Sequence, residues 1–210
     1  NTLPWGDNGD RLLPATNYFE FISQFNTFKT EFKNAVHGFV SEYPSLITEA
    51  RNRLNGMFKE SDYPNVMSME QRFDIQISFM PISSPEDFRL EVDQHEVNNL
   101  RSQIEVEINT RITSATNNIW LRIREAVGHM VEKLDEKDSI FRNSLVENIA
   151  ELIDLLPRLN FTQDHNVQDA IDSMKALIVD PEQLRSDAFL RNKKVQEAKK
   201  ILDKVSDFIA

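Results

Sequence analysis

The chain, 210 residues long, contains no cysteine. That absence removes disulfides, thiolate zinc sites and cysteine nucleophiles together, and it suits a reducing compartment. Glycine is scarce, with five residues, and proline with eight, which argues against an all-β design that turns every ten residues. The glycines are also too scattered for a phosphate-cradling loop or a nucleophile elbow. No apolar run approaches the roughly 20 residues of a membrane-spanning helix, and no signal peptide is read at the start, so a soluble protein with no membrane partner is expected. The four histidines, His37, His95, His129 and His165, form no ligand pair with one another. Glu125, His129 and Glu132 share one helix face, a pattern read as surface pairing rather than as a metal site. No catalytic, cofactor-binding or metal residue is assigned, and the expectation is a protein that is not an enzyme.

Positive charge is also short. Lys and Arg number 24 against 34 Asp and Glu, a net charge of -10. Phosphate binding rests on neutralisation by cations, so a broad nucleic-acid surface is disfavoured. The imbalance is local: residues 57–92 hold three cations and seven acids, whereas residues 185–204 hold seven cations and three acids.

What the chain has in abundance is helix periodicity. Phe21, Phe25, Phe28, Phe32, Ala35 and Phe39 recur at spacings of 4, 3, 4, 3 and 4, a heptad seam continued by Val40, Ile47 and Leu54. Thr16 is read as its N-cap, Pro44 as a kink or break, and Gly56 as its end. In a second long segment Val97, Ile108, Ile119 and Met130 recur every eleven residues, the period of a straight or slightly right-handed helix. Between the two, Phe73, Ile75, Ile77 and Phe79 alternate with polar residues, as do Phe88, Leu90 and Val92, which predicts a β-hairpin. Asp138-Ser139, Thr162 or Asp164, and Asp180-Pro181 open three shorter helices, the first stopped by Pro157 and the last running to the C-terminus.

The expected fold is mainly α: a long antiparallel, coiled-coil-like helical pair with a small β-hairpin tip and a C-terminal helical base. Its parts are an ordered N-terminal loop at 1–15, a helical arm at 16–136 with the hairpin insert at about 57–92, and a helical bundle at 137–210. In the loop, Asp7-Asn8-Gly9-Asp10 is turn chemistry, and Trp5 with Leu12-Leu13 is expected to plug one end of the bundle.

The stretch Trp5-Gly6-Asp7-Asn8-Gly9-Asp10-Arg11-Leu12-Leu13-Pro14, with Tyr43-Pro44, Tyr63-Pro64, Asp87-Phe88-Arg89, Phe141-Arg142 and Leu156-Pro157-Arg158-Leu159-Asn160, resembles an uncharacterised family of tailed-phage and bacterial proteins, a domain of unknown function. The likeness covers most of residues 5–177. It implies phage origin and a setting in the host cytoplasm, and it brings no activity, cofactor or catalytic residue.

These readings point to a non-enzymatic interaction or assembly protein that works through protein–protein contacts with a phage or host partner and forms a homo-oligomer. The candidate contact residues are Trp5, Asp7, Asp10 and Arg11 in the loop and Phe88 and Arg89 at the tip. The alternative is an oligomeric DNA-end-binding protein in which Arg191, Lys193, Lys194, Lys199, Lys200 and Lys204 line a channel. A helical pore-former with a β-tongue is the third reading.

Overall fold

A computed structural model describes residues 2–6, 8–82, 84, 94–135 and 141–209. These residues are mainly α-helical, with one small antiparallel β-hairpin. No described helix is long and apolar enough to cross a membrane. The chain divides into two compact units, one of Asn1–Tyr18 with Ser83–Ala210 and the other of Phe19–Ile82.

The first unit is built on α3 (Gln94–Asp135), which at 1.5 Å per residue is about 63 Å long. Its eleven-residue series lies on the less exposed side as expected, with Val97, Ile119 and Met130 buried and Ile108 half-buried. A parallel series of Ile112, Ile123 and Leu134 runs beside it. Eleven residues close three turns to within about 20°, so such a stripe stays straight along the helix. From Ala115 onward this stripe joins a core with α4 (Ser144–Leu159), α5 (His165–Lys175), α6 (Pro181–Ser186) and α7 (Ala188–Ser206).

Local chemistry explains most of these boundaries. Asp164 accepts from Asn166 N at 2.9 Å and Asp180 from Glu182 N at 2.9 Å, both expected N-caps. The last helix, read from the sequence as one, is two. Asp187 leaves α6 in extended geometry and accepts from Phe189 N and Leu190 N at 2.9 and 3.0 Å, so it caps α7. Pro157 does not stop α4, which runs on to Leu159. A proline near a helix end removes only one bond, and buried Leu156 and Leu159 hold the last turn in place. The Asp138-Ser139 cap lies outside the described residues.

The N-terminal segment is the hairpin. β1 (Leu3–Pro4) pairs antiparallel with β2 (Arg11–Leu12), Leu3 opposite Leu12 and Pro4 opposite Arg11. Trp5 N donates to Asp10 O at 3.0 Å, and Gly6 and Gly9 take φ of 111° and 83°. Leu3 is fully buried, with Trp5 and Leu12 packed on the same core. Arg122 donates to Thr2 O at 3.0 Å, where burial, and then the nearby Arg11 charge, lower its pKa. Thr16 is not an N-cap. It lies in a 3-10 turn, and its hydroxyl donates to Arg158 O at 3.2 Å, tying the N-terminal segment to the end of α4.

The second unit contains nearly all of α1 (Tyr18–Leu54), a short helix α2 (Val66–Met69), and an extended stretch, 73–82. Pro44 lies inside α1 and does not end it. Buried Tyr43 and half-buried Ile47 on either side of it favour continuation despite the lost donor. The helix stops one residue before the expected signal: Asn55 takes the left-handed conformation, φ 46°, that Gly56 was expected to supply.

No strand is present at 73–82, and the second strand expected at 88–92 lies outside the described residues. The alternation of Phe73, Ile75, Ile77 and Phe79 serves a helix instead. Phe73 meets Phe39 edge-on, ring centroids 5.8 Å apart, and Phe79 meets Phe21 in the same way at 6.5 Å. The stretch therefore runs back along α1, opposite in direction.

Candidate interaction surface

The aromatic stripe of α1 is only partly internal. The half-buried or buried line is Phe25, Val36 and Ile47 with Phe32, Tyr43 and Leu54, two series eleven apart. The heptad period does not match a straight helix of 3.6 residues per turn, and the seam read from the sequence drifts off that line. At 100° per residue, Phe28, Ala35, Phe39 and Leu46 fall within about 20° of a single line on a more exposed side. All four are exposed, Phe28 at 52%.

Two further features border this ridge. The 73–82 stretch, held at Phe39 and Phe21, adds exposed Phe73, Ile77 and Phe79, which share one face of the extended chain. On the other flank, about 40–80° round the helix, stand Glu20, Glu31, Glu42 and Glu49, all exposed. Glu31, Glu42 and Glu49 form no ion pair with a described residue. Of the α1 cations, Lys29, Lys33 and Arg51 point away from this flank, and Arg51 is engaged with Glu60 at 3.1 Å and with the Phe58 ring at 5.1 Å. Only Arg53, at the helix end, falls near the ridge.

The exposed fractions of Phe28, Phe39, Leu46, Phe73, Ile77 and Phe79, taking ~200 Å² for each when fully exposed, come to roughly 500 Å². That is in the upper part of the ~300–600 Å² range of the largest apolar patch on an ordinary monomer, a patch that is often functional.

Of the contact residues read from the sequence, the described ones belong to the first unit. Trp5 is partly buried against the core of the first unit. Arg11 is exposed but committed, its Nε donating to Thr2 Oγ1 at 3.2 Å, and Asp10 is exposed at the hairpin turn. Asp7, Phe88 and Arg89 lie outside the described residues. The six C-terminal cations do not share a face. Lys194 is buried, donating to Ala176 O at 2.6 Å and to Glu197 at 2.7 Å, and Lys199 pairs with Asp135 at 2.7 Å. Arg191 falls on that same inward half of α7, leaving Lys193, Lys200 and Lys204 together on the outer face. Three cations are few for a DNA channel, since each phosphate contact needs its own.

A cleft of about 280 Å³ opens beside α7, between α5 and the C-terminal residues. Its floor is Trp120, stacked on Phe208 at 4.6 Å and 12°. Asp169, Lys204 and Asp207 line it with charges of both signs. At the lower limit of ligand-pocket volumes (about 300 Å³), and without one dominant charge, it selects no ligand class.

The exposed ridge was legible in part. Its phenylalanines were evident, but an exposed and a buried stripe only about 80° apart look alike in a helix that is aromatic on both. No protein-family model, no curated protein and no solved structure matches the chain.

Proposed function

We propose that the protein is a non-enzymatic interaction or assembly protein, and that its contact surface is the ridge of α1 with the 73–82 stretch. The observation that carries this reading is the row of exposed Phe28, Phe39 and Leu46 on α1 beside exposed Phe73, Ile77 and Phe79. Within Phe19–Ile82 only Val36, Tyr43 and Met69 are buried among the apolar residues. A 64-residue unit with so few buried side chains gains little stability from its own core, and a partner that covered the ridge would supply what it lacks. For the setting, the proposal takes a phage-infected bacterial cytoplasm, on the motif resemblance alone.

A photoreactive amino acid installed at position 28 or 46, with position 148 on α4 as control, tests the reading in infected and uninfected host lysate. A discrete protein adduct at 28 and 46 and none at 148 is the expected result. Equal labelling at all three sites, or none at any, would refute it.

A further inference from the structure

We propose that the ridge receives an amphipathic helix whose apolar stripe is bordered by lysine or arginine. This rests on the interaction reading above and adds the chemistry of the partner. Phe28, Ala35, Phe39 and Leu46 lie along 18 residues of α1, about 27 Å, or five turns of a partner helix laid alongside. Helix-in-groove recognition uses anchors at i, i+3, i+4 and i+7, and the stretch from Phe73 to Phe79, edge-on to Phe39 and Phe21, borders the seat.

The charge pattern selects among occupants. Glu20, Glu31 and Glu42 are spaced by eleven, with Glu49 continuing the row, so the carboxylates line one flank for most of the length of α1. Up to Arg53 in the last turn, the apolar seat thus has an acidic rim on this flank. A basic helix sets its cations against that rim, whereas an acidic helix meets repulsion along its whole length. A second copy docked antiparallel through the same face would bring the two acidic rims together, which disfavours that symmetric self-pairing.

The probes are two fluorescein-labelled 20-residue helical peptides with an identical leucine stripe, one flanked by lysine and one by glutamate. Binding to the full chain is followed by anisotropy at low and high salt. The lysine peptide is expected to bind at least about tenfold more tightly than the glutamate peptide, a difference that salt reduces and that the triple change Glu31→Lys, Glu42→Lys, Glu49→Lys abolishes or reverses. The triple change Glu147→Lys, Glu151→Lys, Asp154→Lys on α4 alters net charge equally and is expected to leave most of the preference intact. If that control weakens binding as much, the attraction is overall charge and the inference is wrong. It is also wrong if the two peptides bind alike or neither binds. Crosslinking at position 28 would then still report on the interaction reading itself. Sedimentation velocity on the unliganded protein supplies the remaining outcome. Self-association lost on Phe28→Asp would make the occupant a second copy and overturn the proposal.

Discussion

Truncating the stacked pair of Trp120 and Phe208 probes whether the C-terminal residues complete the core of the first unit. Trp120 is 2% exposed and its indole lies against the Phe208 ring at 4.6 Å. Deleting a buried tryptophan side chain costs about 3–5 kcal/mol through lost transfer energy and the cavity left behind, so Trp120→Ala falls in that range. Phe208 is 38% exposed, so Phe208→Ala forfeits only about 2 kcal/mol of the full burial value. The double variant is less destabilised than the two losses added, by about 1 kcal/mol, the share belonging to the ring contact itself. Urea unfolding followed by far-UV circular dichroism supplies all four corners of the cycle. Fluorescence of the Phe208→Ala variant gives a second readout, since both tryptophans belong to the first unit and uncovering Trp120 shifts its emission to the red. A loss below about 0.5 kcal/mol for Phe208→Ala, with emission unchanged, would refute the docking of the C-terminus on α3.

Three further outcomes follow from single positions. Pro44→Ala restores a donor to the middle of α1 and is expected to raise stability by up to about 3 kcal/mol in denaturant unfolding; no gain would mean that the helix is already broken there. Asp187→Ala removes the acceptor of two amide donors at the start of α7 and lowers stability by about 1 kcal/mol, while Asp187→Asn keeps most of it. Gly6→Ala imposes a side chain at φ 111° and costs about 1–3 kcal/mol, whereas the exposed helical change Gly38→Ala, with open space for the added Cβ, raises stability by about 0.5–1 kcal/mol, both read from thermal shifts.

The helical class was open to sequence reading because periodicity is local. The eleven-residue series of Val97, Ile108, Ile119 and Met130 follows from the 3.6-residue turn, whatever packs on it. The cap at Asp180 was equally plain, and that at Asp164 was one of two candidates with Thr162, since a side-chain oxygen close to its own backbone needs no tertiary partner to reach the next amides. Asp187 escaped notice because the apolar series continues across it, from Leu184 to Val195. The N-terminal hairpin escaped for another reason. Its strands are two residues long, too short for any alternation to register, and β1 is held as much by the burial of Leu3 as by pairing.

The amino-acid order by itself determined that the chain is mainly helical, which side of α3 is apolar, and that cysteine chemistry is absent. What it left open were choices between partners of nearly equal local merit. An alternating stretch such as Phe73 to Phe79 fits a second strand or a helix face, and only the ring contacts to Phe39 and Phe21 decided for the helix. A helix aromatic on two adjacent sides can bury either, and tertiary packing buried Val36 and Tyr43 while leaving Phe28 and Leu46 outside. The free energy that separates such alternatives comes from surface removed from water by residues distant in sequence, a quantity that no single window of the chain contains.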